Sequence, residues 1–441
     1  MGQQSVTAPR VRAVALLLPA ALNLGIAQIL APALNALLAR TSDPEPAIGG
    51  FAVALGISGL VALPQLRIQH LTLVFLEGPG SLAALRRFVL LFVVAVSVLA
   101  ALVTLTPLAD FTLGRLFATE GALRDQAATS MIALLPFPAL SIVRMHLYGV
   151  ALRAEQPRVL WGGTVGGAAS VLAVAVVLLG VGVDGAILAA AAVSAGAAVE
   201  CIVLWFATRR IDVSAYLAPE STPTQRILHI FFLPLLFVAF LPAISAPIIM
   251  ATIARASEPD ISLAAFPLAM SVFTFATLVS GGVTPTVLAQ FSRGDNARGI
   301  GRFALAVGFV ALVGILPIAW IPPLGDFVVR DVLGTSGQLA DSTIVGLRIL
   351  SFLPPLMTLE QLYAAALLRT KRTRALVYVN AWRLLGLLLF VIIVPAVTDW
   401  SGTAIGTGAL SFTLALEAVV AWLYGRGAYQ ELRTQTSTDS P

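Results

Sequence analysis

The chain alternates long apolar runs with short polar connections from Val11 to Tyr424. Apolar runs of roughly 18 or more residues predict transmembrane helices, because about 20 helical residues cross a bilayer. Strands of a membrane barrel would be about 10 residues long and would alternate in polarity, so an all-α polytopic membrane protein is expected. The pattern predicts twelve helices, at about 11–39, 47–76, 83–107, 128–152, 159–181, 184–208, 227–254, 260–291, 299–321, 343–368, 374–396 and 401–425.

Composition supports the membrane assignment. Of the 441 residues, 58% are hydrophobic and only 11% are charged, whereas an ordinary soluble protein carries about 25% charged residues. Arg10 precedes an apolar run that reaches Leu38, which is longer than the apolar core of a cleavable signal, so the first span is expected to stay in the protein. The single cysteine, Cys201, excludes an internal disulfide and a cysteine-based metal site.

The charges of the connections predict the orientation. If both termini are cytoplasmic, 18 Arg and Lys residues fall in inner segments and 5 in outer segments, which is the bias that the positive-inside rule describes. We therefore expect a multi-pass protein of the inner (cytoplasmic) membrane. Lys371 is the single lysine, and this preference for arginine favours a GC-rich bacterial genome.

The two halves of the sequence repeat. With six helices in each half, both copies share one orientation, so the repeat is parallel, with an axis along the membrane normal. We expect a first lobe at 1–210, a cytoplasmic linker at 211–226, a second lobe at 227–425 and a cytoplasmic tail at 426–441. A 215-residue shift superimposes Leu18-Pro19 on Leu233-Pro234, Ala31-Pro32 on Ala246-Pro247, and Leu147-Tyr148 on Leu362-Tyr363.

The tenth span carries a resemblance to a known family. Leu347-Arg348-Ile349, Ser351-Phe352, Pro354 and Thr358, continued by Lys371 and Thr373, resemble the progressive ankylosis family of the multidrug/oligosaccharidyl-lipid/polysaccharide (MOP) exporter superfamily. Further similar positions are Ile244-Ser245 with Pro247-Ile248, Pro64 with Leu73-Val74-Phe75, and Phe137-Pro138 with Gly149.

This resemblance implies a fold and a substrate class. It implies the V-shaped pair of six-helix lobes seen in MATE-like transporters, and export of small anions such as pyrophosphate, ATP and citrate-like carboxylates. The chain departs from the family at Glu360, where animal members carry a basic residue, and this leaves the exact substrate open.

Polar residues within the spans are the candidate substrate-binding groups, because a charge at mid-bilayer is costly and normally faces a cavity or a partner. Guanidinium groups also match carboxylate and phosphate oxygens in bidentate fashion. For Arg348 and Arg383, snorkelling to the interface explains the position equally well. Glu200 and His229 are expected at the interface. The predicted substrate-binding residues are Arg67, His70, Arg144, His146, Arg348, Arg383 and Asn23, although Asn23 fits an interhelical hydrogen bond at least as well.

Glu360 is the candidate gating or coupling residue, and four prolines are the candidate hinges. Pro354 and Pro355 remove amide donors and are expected to bend or break the tenth span, while Pro32 and Pro247 are expected hinges. Under the 215-residue shift, Glu360 corresponds to Met145, beside Arg144. We expect Glu360 to gate the transporter or couple it to an ion; a static salt bridge inside one lobe is the alternative.

Together these features favour a secondary transporter that exports small organic or phosphorylated anions by alternating access. The alternatives are a flippase for a lipid-linked pyrophosphate intermediate and a cation-coupled multidrug (MATE-type) exporter. The first span has no carboxylate, which disfavours the multidrug function. Three separate histidines disfavour an enzyme. We expect a monomer in a lipid bilayer, driven by a proton or Na⁺, with no cofactor, no bound metal and no nucleic-acid partner.

Overall fold

The computed structural model describes residues 9–117, 119–211 and 222–438. Some side chains inside helices fall outside this description, namely those of residues 9–12, 23–25, 27–29, 31–32, 116 and 436–438. Within the described part, regular secondary structure is helical, and one isolated bridge joins Ser257 to Ser401.

The described residues of the first half form nine α-helices and a π-helical turn at Phe111–Leu116. The α-helices are α1 (Pro9–Leu38), α2 (Pro44–Ala62), α3 (Gln65–Phe75), α4 (Pro79–Leu105), α5 (Leu108–Asp110), α6 (Gly121–Ala133), α7 (Phe137–Arg153), α8 (Pro157–Gly180) and α9 (Ile187–Thr208).

The second half contains the same series, with a 3₁₀ turn at Leu278–Gly282 and a π-helical turn at Phe327–Val332. Its α-helices are α10 (Gln225–Ile253), α11 (Pro259–Ala276), α12 (Val283–Phe291), α13 (Ala297–Trp320), α14 (Pro322–Asp326), α15 (Gly337–Leu350), α16 (Pro354–Arg369), α17 (Thr373–Val397) and α18 (Gly402–Thr438).

The described helices account for the predicted spans. Nine helical stretches are long and apolar enough to cross a membrane, and two bent pairs, α6–α7 and α15–α16, raise the number to eleven. The 30-residue α1 occupies the remaining predicted span. Several boundaries differ from the prediction: the fourth and tenth spans begin earlier, at Gly121 and Gly337, and α18 continues to Thr438.

Prolines and glycines explain where the spans break and begin. Pro64 separates α2 from α3, and Pro354 is the first residue of α16, where proline is tolerated because its missing N–H would be unsatisfied anyway. Gly121 and Gly337 have φ values of +53° and +57°, which favour glycine, at the starts of α6 and α15. Apolar periodicity does not reveal such starts, so the prediction placed them too late.

The internal repeat is confirmed, and its register can be refined. Helix α11 follows α2 with the predicted 215-residue spacing, but α15 and α17 follow α6 and α8 with a 216-residue spacing. Glu155 and Lys371, which both have a positive φ, are also 216 residues apart. The hydroxyls of Thr119 and Thr335 likewise donate to the carbonyls of Leu113 and Val329.

The described helices bend at equivalent places in the two halves. Helices α6 and α7 meet at 43°, and α15 and α16 at 45°. Pro354 and Pro355 follow the break directly, as the first two residues of α16, so the predicted bend of the tenth span is confirmed. The N-terminal ends of α7 and α16 are thereby placed inside the spans.

The chain divides into two compact units. Unit N comprises Asn23–Phe232, and unit C comprises Met1–Leu22 with Leu233–Pro441. Unit N has a core of α2, α6, α8 and α9 that includes Phe51, Leu134 and Leu188. The core of unit C includes Phe273, Leu347 and Leu353. The predicted lobe boundaries at 210 and 227 follow chain order alone and stay a prediction.

Candidate functional site

Arg144 lies at the centre of a polar cluster inside unit N. It sits two turns into α7, just after the bend from α6, and its side chain is 14% exposed. The apolar residues around it on α7 include Ile142, Met145 and Leu147, all buried. Because the helix restarts at Phe137, the guanidinium group is held well inside the span.

Glu200 of α9 is the ionic partner of Arg144. Its Oε2 lies 3.0 Å from Nη1 of Arg144. Nη2 of Arg144 donates to Oε1 of Gln65 over 3.4 Å. Tyr148, one turn after Arg144, donates to Oε1 of Glu200 over 2.7 Å and shares a short hydrogen bond with Thr164 of α8. Both carboxylate oxygens of Glu200 are therefore bonded.

The cluster lines a cavity of about 330 Å³ in unit N. Its polar wall consists of Gln65, Arg144, Thr164 and Glu200. A buried ion pair is costly to desolvate unless further hydrogen bonds satisfy it, and Tyr148 and Gln65 supply such bonds. The other lining residues are apolar or glycine: Ile26, Leu30, Leu34, Phe51, Leu55, Leu66, Phe137, Met145, Gly167, Ala168, Val171, Val193, Gly196 and Ala197.

Glycines allow α8 and α9 to approach closely enough for this cluster. A Cβ atom at Gly167 would lie 3.0 Å from both Cβ and Oε2 of Glu200. A Cβ atom at Gly196 would lie 2.2 Å from Cγ2 of Val171 and 3.0 Å from the carbonyl oxygen of Gly167. Small residues at such positions are typical of packed membrane helices, and here they bring Glu200 within reach of α7.

The position predicted for Glu200 was wrong. It was expected at the interface, but it is 4% exposed and lies near the middle of α9. In the predicted span 184–208 it is eight residues from the end, about 12 Å along the helix axis. The cost of a charge at such a depth, applied to acidic residues as it was to arginines, would have made Glu200 a candidate.

The two predicted histidines lie between α3 and α7. His70 and His146 are buried, and Nδ1 of His146 is 2.9 Å from Oγ1 of Thr72. The Thr72 hydroxyl donates to the carbonyl of Ile68, so Nδ1 of His146 donates to Thr72. Arg67 is half-buried on α3, three residues before His70. Substrate binding by these residues stays a prediction.

Arg383 forms a second buried ion pair, in unit C. Its Nη1 lies 2.9 Å from Oε2 of Glu417, and the side chains of Arg383 and Glu417 are 16% and 7% exposed. The pair joins α17 to α18. Arg383 lies ten residues from the start of α17, about 15 Å along the helix axis.

Arg348 has a different environment. It is exposed in the last turn of α15, where its Nε donates to the carbonyl of Ala319 over 3.1 Å. Its guanidinium group lies 5.6 Å from the centroid of the Trp320 ring. The Arg348 guanidinium thus lies against the carboxyl end of α13, where it satisfies a free carbonyl and complements the dipole of that helix. Both substrate binding and snorkelling by Arg348 stay predictions.

Glu360 occupies the place in α16 that Arg144 occupies in α7. The 216-residue spacing of the bent pairs aligns Glu360 with Arg144 itself, not with Met145 as the 215-residue shift indicated. Glu360 is half-buried. The next residue, Gln361, accepts from the backbone N–H of Thr284 over 3.1 Å. The coupling role of Glu360 stays a prediction.

The remaining predicted residues lie in the long helices. Pro247 is inside α10, which continues unbroken through three prolines. Asn23 and Pro32 lie in α1, but their side chains are outside the described part of the chain. Within the described residues, three or more His, Cys, Asp or Glu side chains do not cluster in a way that could hold a metal ion.

Solved structures share this fold over almost the whole chain. An outward-facing multidrug resistance MATE family transporter of the MOP superfamily aligns with a TM-score of 0.77 at 15% identity, covering 97% of both chains. A MOP superfamily transporter from Pyrococcus furiosus aligns with a TM-score of 0.76 at 15% identity, covering 97% of both chains. Its binding pocket is described as having reverse polarity. A mutant MATE transporter from Vibrio cholerae gives a TM-score of 0.76 at 14% identity, covering 96% of this chain and 99% of the other.

No family model and no curated protein matches the chain. The structural similarity therefore establishes the architecture: a helical membrane protein with the fold of MATE transporters.

Proposed function

We propose that this protein, which has the fold of MATE transporters, is a secondary transporter that exports small organic or phosphorylated anions. The observation that carries the proposal is Arg144, a guanidinium group in the wall of an otherwise largely apolar cavity. In such surroundings a fixed cation attracts a carboxylate or phosphate more strongly than in water. The closer relation to the progressive ankylosis family is part of this proposal.

Glu200 supports a specific way for the site to work. Without substrate, its carboxylate neutralises Arg144 at 3.0 Å. A substrate anion can take over the guanidinium fork while Tyr148 and Thr164 continue to hold the other side of the network. The resident carboxylate thus keeps the empty site neutral, and the substrate competes with it. In this proposal Glu360 gates the transporter or couples it to a proton or Na⁺.

The similar fold of the Pyrococcus protein is compatible with an anionic substrate. Its pocket is described as having reverse polarity that suggests a different function. The first span of our chain contains Asn23, Gln28 and Asn35 but no carboxylate. Both points support a MOP-type transporter whose substrate is not a cationic drug.

The decisive experiment is flux in proteoliposomes loaded with labelled citrate, pyrophosphate or ATP. We expect saturable flux of at least one anion. Arg144→Ala should reduce it at least tenfold at low substrate concentration, because a charge-assisted contact of more than about 1.4 kcal/mol is lost. Arg144→Lys, which keeps the charge but not the fork, should retain part of it. Arg330→Gln is the matched control, since Arg330 is bonded to Asp326 and Asp341 and does not line the cavity.

A multidrug exporter is the second candidate, because the cavity is largely apolar and contains the carboxylate of Glu200. The same vesicles can be tested with the cationic dye ethidium. Ethidium flux that is lost in Glu200→Gln, together with no flux of any anion by well-folded protein, would replace the anion proposal with the multidrug one.

A further inference from the structure

An arginine lies over a tryptophan at equivalent places in the two halves of the chain. The Arg209 guanidinium is 5.1 Å from the ring centroid of Trp205 and 4.8 Å from that of Phe206. The Arg426 guanidinium is 5.4 Å from the ring centroid of Trp422. In each case the two residues are one helical turn apart, and the pairs are related by a 217-residue spacing, close to that of the repeat. The arrangement is thus kept in both copies.

In unit C this pair belongs to a wider aromatic and basic surface. Tyr378 of α17 and Tyr424 of α18 stack with ring centroids 6.1 Å apart. Tyr378 is 56% exposed and Trp422 is 41% exposed. Arg374 is exposed one turn before Tyr378, on the same face of α17. We call Arg374, Tyr378, Trp422, Tyr424 and Arg426 the C-patch.

Unit N carries the corresponding surface. Trp205, Phe206 and Trp161 are exposed on α9 and α8. Arg158, at the start of α8, and Arg209, at the end of α9, are exposed beside them. We call these five residues the N-patch.

Each patch borders an exposed apolar surface of the same helices. On α17 the surface continues with Leu385, Leu389 and Ile392, which are 44%, 49% and 67% exposed. The order from apolar side chains to aromatic rings to arginine matches the order from acyl chains to the headgroup region of a bilayer. Stacking occupies one face of a guanidinium, and its N–H groups still point outward from the edge.

We propose that the N-patch and the C-patch each bind the phosphate of an anionic phospholipid headgroup. Charge complementarity favours this occupant, since each patch presents two arginines at the level where phosphates lie. The apolar residues beside the patch give the acyl chains a surface to cover. The proposal does not depend on what the protein transports.

The test uses quenching of tryptophan fluorescence in the full-length protein, reconstituted in vesicles. Brominated phosphatidylglycerol is compared with brominated phosphatidylcholine in a background in which Trp320, Trp382 and Trp400 are replaced by phenylalanine, so that Trp161, Trp205 and Trp422 report on the patches. This background is the unaltered protein of the comparison. The unaltered protein should be quenched preferentially by the anionic lipid. Arg209→Gln with Arg426→Gln should lower this preference about fivefold, as one arginine near a membrane surface contributes about 1 kcal/mol.

Arg124→Gln with Arg330→Gln provides the control, because it also removes two charges, from arginines that carboxylates already neutralise. It should leave the lipid preference unchanged. Equal quenching of the unaltered protein by both lipids would overturn the proposal. An equal loss of preference in the control with the same change of net charge would also overturn it, because net charge alone would then explain the effect.

Discussion

Inside unit N, the buried charge of Arg144 is stabilised by Glu200, and that of Glu200 by Arg144. Their side chains are 14% and 6% exposed, so water screens the pair only weakly. Removing one member leaves a buried charge, which is more costly than never having had the pair. Stability and transport therefore make different demands on the same two residues, and they can be separated experimentally.

We predict that Arg144→Met and Glu200→Gln are each destabilised by up to about 3 kcal/mol, and that the double variant loses less than the sum. The second substitution removes the buried charge that the first one leaves without its partner. Thermal unfolding in detergent measures the three variants. The double variant should regain folded yield while anion flux stays low.

The control is the same set of single and double substitutions at Arg124 and Asp110. This ion pair has an N–O distance of 2.7 Å, and its side chains are 42% and 74% exposed. Exposed pairs contribute about 0–1 kcal/mol, so this cycle should show little coupling. Strictly additive effects of the Arg144 and Glu200 substitutions would contradict the prediction.

Residue chemistry was only partly predictable from the sequence. Arg144 could be identified because its depth in an apolar run is unfavourable without a partner. The pairing of Arg144 with Glu200 could not be predicted, because Glu200 is 56 residues away along the chain and its orientation depends on the rotation of α9. The same limit applies to Arg383 and Glu417.

At the level of elements, the contact between α8 and α9 depends on glycine. Gly196 faces Val171 and the backbone of Gly167, where an added Cβ atom would lie 2.2 Å and 3.0 Å from its neighbours. Such a contact forces the helices apart, since packed interiors tolerate little added volume.

We predict that Gly196→Ala lowers the free energy of unfolding by about 1–3 kcal/mol. Gly162→Ala, on α8, should have no such effect, because a Cβ atom there would meet nothing within 4 Å. Thermal unfolding of both variants in the same detergent tests this difference. Equal melting temperatures would show that the helix contact adapts without cost.

The sequence predicted elements best where proline marks a break. Pro354 and Pro355 indicated the bend before α16 correctly. The starts of α6 and α15 were missed because they follow π-helical turns and left-handed glycines, which hydropathy does not encode. The hydrogen bonds of Thr119 and Thr335 to the preceding π-turns show that these connections are ordered and repeated.

For the whole molecule, the number of helices and the repeat were visible in the sequence. The register was off by one residue beyond α3, because matches between apolar residues cannot distinguish a 215-residue from a 216-residue spacing in this composition. The packing inside each unit and the cavity of unit N depend on side-chain contacts that a single sequence does not reveal.

The predicted orientation can be tested with the chain almost as it is. The single cysteine, Cys201, is buried, so new cysteines can be introduced without removing it. Ser336 and Gln430 are exposed, at the start of α15 and near the end of α18. In intact cells an impermeant thiol reagent should label Ser336→Cys and not Gln430→Cys until the membrane is opened. The reverse pattern would contradict cytoplasmic termini.

The alignment of Arg144 with Glu360 has a consequence for the ancestry of the chain. A pair of identical first halves would carry two arginines at this position, and a pair of identical second halves would carry two glutamates. A chain that contains both halves carries one base and one acid there. Its two copies therefore differ in charge at this position although their helices repeat.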